Sequence, residues 1–173
     1  MRGTKVKNIF VHCSATPWAD AIVIDEWHKA NGWSGIGYHF VILNGSPHKS
    51  VEYFDFLDGQ IHSGRPLDND FYLEAEERGA QVKDRNSDSV GICLVGLKEF
   101  TDKQLVAAKL LLSRLVEQFK LKTEDVWGHC EDPNTTKTCP NIPMKEFREF
   151  LDEKIGLDEL QAAIKKHIKE IYG

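Results

Sequence analysis

The sequence predicts an α/β fold, because three segments carry periodicities that a sheet covered by helices satisfies together. Residues 89–96 form a near-continuous apolar run of strand length, the pattern of a central strand covered on both faces. Thr101 followed by Gln104 is a capping-box signature, and Leu105, Ala108, Leu112, Leu115, Val116 and Phe119 then recur at helical spacing. A strand from Tyr38 to Leu43, the tight-turn dipeptide Asn44-Gly45 and a return through Lys49 to Phe54 read as a hairpin.

The remaining elements follow in chain order. Residues 6–11 read as a buried strand that delivers His12 at its C-terminal end, before Ser14-Ala15-Thr16-Pro17 breaks it. Asp20 caps a helix that runs to about Asn31 and stops at Asn31-Gly32, with Ile24, Trp27 and His28 on its inward face. Residues 64–88 hold Gly, Pro, Asp, Asn and a charged patch (Glu74, Glu76, Glu77, Arg78), the composition of a long surface excursion with one helical turn. Val126-Trp127-Gly128 is a short strand leading to His129, a polar loop carries Lys137 and Cys139, and Pro143 opens a helix to about Lys154. Beyond Gly156, an apolar stripe of Leu157, Leu160, Ile164, Ile168 and Ile171 predicts a terminal amphipathic helix that packs on the domain or on a second copy. The organisation expected is one domain over residues 1–155, with 156–173 as its helical extension.

Composition bounds the function. A chain of 173 residues with 41% hydrophobic content fills one real core. The net charge of -5 removes the global basic field that nucleic-acid binding needs, so no nucleic-acid partner is expected. No apolar run of about 18 residues is present, which excludes a transmembrane helix on length. The N-terminal residues run directly into a strand with no secretory h-region, so the product is expected to stay in the cytoplasm until released. Four cysteines (Cys13, Cys93, Cys130, Cys139) are too sparse for a disulfide-stapled secreted domain, leaving free thiols or metal ligation.

Zinc sites are built from neutral imidazole nitrogen, thiolate and carboxylate, and a catalytic site uses three protein ligands and leaves a fourth position open. His12 and His129 each follow a strand, and Cys139 lies in the polar loop after His129, so the set on offer fits that chemistry. Spacing alone does not single out a metal, because a histidine at a strand end is also an ordinary hydrogen-bonded residue. Tyr38 likewise reads as a strand aromatic with a satisfied hydroxyl. Its neighbour His39 points to the opposite face and reads as structural. The same alternation assigns Cys13 and Cys130, each beside a candidate ligand, to small inert packing roles. His28 reads as core or partly buried surface, and Glu131 as a loop charge.

Five ordered blocks carry a resemblance: Phe10-Val11-His12-Cys13-Ser14-Ala15-Thr16, Trp27-His28-Lys29-Ala30-Asn31-Gly32-Trp33, Gly37-Tyr38-His39-Phe40-Val41-Ile42, Ser89-Val90-Gly91-Ile92-Cys93-Leu94-Val95-Gly96, and Gly128-His129 with Lys137-Thr138-Cys139-Pro140. Together, over residues 6–152, the chain resembles the zinc-dependent N-acetylmuramoyl-L-alanine amidases, a family related to the peptidoglycan recognition proteins, and most closely the small phage lysozyme-type amidases. The resemblance implies a central mixed β-sheet flanked by helices and a single Zn2+ at the floor of a cleft. It implies His12, His129 and Cys139 as metal ligands, Tyr38 and Lys137 as the catalytic pair, and His62, in Ile61-His62-Ser63-Gly64, as a residue bordering the substrate cleft. The implied substrate is peptidoglycan or a muropeptide, cut between N-acetylmuramic acid and L-alanine by a phage or prophage-type endolysin. A cytoplasmic amidase recycling wall fragments and a non-catalytic wall-binding module are the alternatives, the latter disfavoured by Cys139. A cysteine-nucleophile hydrolase using Cys13 or Cys130 is a third, disfavoured because adjacency in sequence is not the spatial pairing it requires.

Overall fold

The structure, a computed structural model, describes residues 3–153. In chain order it contains β1 (Thr4–Lys5), β2 (Asn8–Cys13), α1 (Ala21–Ala30), β3 (Phe40–Asn44), β4 (Asp58–Ser63), β5 (Tyr72–Leu73), β6 (Ser89–Leu94), α2 (Asp102–Phe119), β7 (Val126–Gly128) and α3 (Met144–Asp152). The expected terminal helix after Gly156, and with it the boundary at 155/156, lies outside the described residues.

Five strands form one sheet in the order β4-β3-β6-β2-β7. The pairs β3/β6, β6/β2 and β2/β7 are parallel and β3/β4 is antiparallel, which makes the sheet mixed, as expected. Every residue of β2 and β6 is buried, because helices cover both faces. On one face Ile9, Val11, Ile42, Ile92 and Leu94 pack with Leu112, Leu115, Phe119 and Phe147 of α2 and α3. On the other, Val41, Leu43, Cys93 and Val95 pack with Ala21 and Ile24 of α1. Strand alternation then puts His12, the neighbour of Val11, on the α1 face, in one register row with Cys93, Val41 and His62.

The helix boundaries follow their caps. Asp20 accepts the Val23 amide at 2.8 Å and starts α1. The capping box of Thr101 and Gln104 forms as expected and starts α2. Gln104 is fully buried and its Nε2 also donates to the Ile42 and Val95 carbonyls, tying the helix to the ends of β3 and β6.

Two expectations are corrected. The hairpin partner of β3 is β4, so the return strand is Asp58–Ser63 rather than residues 49–54, and the strand begins at Phe40 rather than Tyr38. Val51, Tyr53 and Phe54 have high strand propensity but sit exposed in the connecting loop, while the polar β4 is held at the sheet edge by backbone pairing. Asp58 adds a side-chain bond from Thr101 Oγ1 at 2.6 Å. Residues 64–88 form no α-helix among the described residues, and they are not a simple surface loop. Leu73 is fully buried where β5 pairs with β1, and the buried Glu77 carboxylate accepts the amides of Asp68 and Glu74.

His39 fastens this segment to the sheet. Its Nδ1 accepts the Gly91 amide at 2.9 Å and its Nε2 donates to the Glu77 carbonyl at 2.8 Å, so the buried ring is neutral with both nitrogens used. Burial lowers its pKa from 6.5 to about 4, with the Glu77 hydrogen bond opposing and the Arg65 charge assisting. An unfolded chain takes up the proton first as pH falls, so the stabilisation from His39 is complete above about pH 6.5 and is lost on the way down to about pH 4. Between those limits the wild type is expected to lose up to roughly 3 kcal/mol more than His39→Gln. Urea unfolding at a series of pH values measures this, and parallel profiles would remove His39 as the cause.

Candidate metal centre and active site

The centre is assembled by parallel strand pairing. In the β2/β7 register Val11 sits opposite Gly128, so the next residues, His12 and His129, leave adjacent strands at the same end of the sheet. Their ring centroids lie 4.8 Å apart. The loop after His129 brings Cys139 back to them: the Cys130 amide donates to the Cys139 carbonyl at 2.8 Å, and the Cys13 amide donates to Cys139 Sγ at 3.0 Å. One ligand atom from each of His12, His129 and Cys139 lies within 4.8 Å of the others. A second acidic group of three, Asp68, Asp70 and Glu74, meets the same distance criterion but is solvent-facing.

Two imidazoles and one thiol form a donor set suited to a borderline-soft divalent ion and leave one position for substrate or water. Desolvation is the main reason the His12 pKa falls to about 3, with the His129 charge lowering it further, so His12 is neutral with a lone pair to offer. Burial also lowers His129, against Asp132 and with Lys137. The thiol of Cys139 is pushed up by the neighbouring Cys13 thiol and by burial, while the Cys13 amide pulls it down. A divalent ion held there would reverse that balance, because its charge would outweigh the desolvation of the thiolate.

Around these three, Tyr38 places its ring centroid 5.0 Å from that of His12 and 5.5 Å from that of His28. Burial raises its pKa well above 10, which keeps the phenol protonated. Lys137 is exposed in the loop that carries Cys139, close enough for its charge to act on His129. His62 is partly buried and shares the face of His12, three strands away at about 14 Å by strand spacing. His28 is structural, its Nδ1 accepting the Gly37 amide at 2.9 Å.

The loop charge Glu131 is fully occupied, with both oxygens on Arg148 at 2.8 Å and one of them also on the Gly128 amide. Neither Cys13 nor Cys130 has an imidazole hydrogen-bond partner among the described residues. Their service to the site is through the two backbone amides that hold Cys139. Cys13 is still not inert packing: its thiol is lowered to about 6, mainly by its interaction with Cys139.

Several residues of the site were not visible in the sequence. Gln81 Oε1 lies 2.5 Å from His12 Nε2, and Thr135 Oγ1 lies 3.4 Å from His129 Nε2. Arg85 stacks between the Phe10 and Trp127 rings, with centroid distances of 5.6 and 5.5 Å. From there it bonds Asn8 and approaches the buried Asp132 at 3.9 Å, which braces the loop carrying His129. The one available signal was Gly91, since a glycine inside a central strand marks a close approach. A Cβ there would meet the Gln81 side chain at 2.8 Å.

Residues 2–142 match the family model described as N-acetylmuramoyl-L-alanine amidase. The chain is 37% identical over 154 residues to an endolysin of Enterobacteria phage K11, covering 83% of this chain and 85% of that protein. It is 33% identical over 156 residues to an endolysin of Klebsiella phage KP32, covering 84% and 87%. Among solved structures it resembles the N-acetylmuramoyl-L-alanine amidase LysC from Clostridium intestinale URNW, with TM-score 0.67, 26% identity and coverage of 87% of this chain and 88% of that one.

The four thiols differ in access, since Cys130 is exposed, Cys139 partly buried and Cys13 and Cys93 buried. A small alkylating reagent is therefore expected to label Cys130 in the folded chain and Cys93 only with denaturant. Peptide mass spectrometry reads the order, and native labelling of Cys93 would contradict its place in the core.

Proposed function

Because the chain belongs to the N-acetylmuramoyl-L-alanine amidase family, we propose that it is a zinc-dependent endolysin that hydrolyses the amide joining N-acetylmuramic acid to L-alanine in peptidoglycan. The observation that carries the zinc assignment is the convergence of His12, His129 and Cys139 within 4.8 Å. Two imidazoles and a thiol are the donor types zinc takes, and three protein ligands leave the fourth position that a catalytic site keeps open. The family supplies the bond that is cut, and the phage endolysins among its relatives supply the setting. No helix among the described residues is long and apolar enough to cross a membrane.

A zinc ion held by His12, His129 and Cys139 would supply Lewis acidity, making water a competent nucleophile near neutral pH. The chain's own residues do the rest. His12 and His129 present neutral nitrogens, and Cys139 presents a sulfur already oriented by the Cys13 amide. Attack on the amide carbonyl builds negative charge on its oxygen, and the ammonium of Lys137 offers a counter-charge at that stage rather than in the ground state. The protonated hydroxyl of Tyr38 donates a hydrogen bond that orients the reacting groups. His62 borders the same face as a contact for the stem peptide or glycan.

Purified wall incubated with zinc-loaded protein is expected to release stem peptides with a free L-alanine amine, identified by mass spectrometry, and a chelator should stop the release. Chelator-insensitive release, or none with zinc loaded, would sink the reading. In metal analysis Cys139→Ala should lose zinc. Lys137→Ala should retain one ion per chain and lose turnover by about 10²–10³-fold.

A further inference from the structure

The 64–88 segment ends in a hydrogen-bond chain that terminates on a candidate ligand. Ser89 Oγ donates its only proton to the Arg85 carbonyl at 2.6 Å, because a carbonyl can only accept. Towards Gln81, 2.8 Å away, the same oxygen is therefore an acceptor, and the Gln81 Nε2 amide group must be the donor. That fixes the amide's orientation, leaving Oε1 to face His12 Nε2 at 2.5 Å. An amide oxygen cannot donate, so the proton in this contact belongs to His12 Nε2, and the neutral ring keeps its lone pair on Nδ1.

The backbone holds Gln81 where this chain needs it. Asn86 Oδ1 accepts the amides of Gln81 and Val82 at 2.8 and 3.0 Å, folding the segment back over β6. Gly91 leaves the space the side chain occupies, since a Cβ would lie 2.8 Å from Gln81 Cδ and 2.9 Å from Cγ and Oε1.

We propose that Gln81 is a positioning residue for the metal centre, holding His12 in the Nε2–H tautomer through the relay Arg85 carbonyl, Ser89, Gln81, so that Nδ1 is the atom offered to the ion. This rests on His12 being a ligand, as proposed above. Outer-shell partners of this kind orient the ring and raise its basicity, and their loss typically weakens metal binding by about 10- to 100-fold.

Zinc affinity of the purified full chain, measured by competition with a chromophoric chelator, is expected to fall about 10- to 100-fold in Gln81→Leu. Gln81→Glu keeps an oxygen acceptor facing Nε2–H, with Ser89 Oγ turning its one proton from the Arg85 carbonyl to the other carboxylate oxygen, and should stay within about threefold of wild type. Gly91→Ala should weaken binding in the same direction by displacing the side chain. The visible spectrum of the cobalt-substituted protein should change in Gln81→Leu and not in Gln81→Glu, a signature that a merely structural role would leave unmoved. Long-range ¹H–¹⁵N correlation on the metal-free wild type should find His12 as Nε2–H. An Nδ1–H tautomer, or wild-type zinc affinity in folded Gln81→Leu, overturns the proposal. Should Gln81→Leu not fold, the wild-type tautomer and the affinity of Gln81→Glu decide it. If His12→Ala binds zinc as tightly as wild type, the ligand assignment itself has failed, whereas the tautomer of His12 still reports on Gln81.

Discussion

Parallel pairing of β2 with β7 is the constraint on which the site depends. Hydrogen bonding in register between Ile9 and Val126, Phe10 and Trp127, and Val11 and Gly128 forces the residues that follow into contact. His12 and His129 are those residues, and no flexible search is needed to bring their rings to 4.8 Å. Cys139 depends on the same ends, because the amides of Cys13 and Cys130 that hold it belong to the residues immediately after the two histidines. A slip of one residue in the β2/β7 register would turn an imidazole to the opposite face and dissolve the cluster.

The register is protected by what covers it. β2 and β6 are buried on both faces, so a shift would drive His12 and Asn8 into the apolar layer formed with α2 and α3. Gln104 adds a polar lock at the ends of β3 and β6, and the 64–88 segment adds another at Gly91 through His39. The long connection thereby acts as part of the scaffold. It reaches His12 through Gln81 and the loop after His129 through Arg85 and Asp132.

Electrostatics divides the site into layers. Burial keeps the imidazoles neutral and the phenol of Tyr38 protonated, while the charge of Lys137 stands in solvent. The carboxylate two residues after His129, Glu131, is occupied by Arg148 and pins the turn at Gly128 to α3.

Most elements were legible from local pattern. The capping box of α2, the Asp20 cap of α1 and the apolar run of β6 are local signals that need no distant partner. The cluster of His12, His129 and Cys139 was legible only through the family blocks, since a strand-end histidine carries no mark of its partner. The edge strand β4 was misplaced because its residues are chosen by pairing rather than by propensity. Gln81 was out of reach for a deeper reason: its role is to accept one proton from a ring far away in sequence, and neither periodicity nor composition encodes such a contact. The sequence by itself determined which side chains were available for metal chemistry and which segments would be helix or strand. Only the tertiary structure decided which nitrogen, which neighbour and which loop would serve them, because those are properties of distance and direction between segments brought together by the sheet.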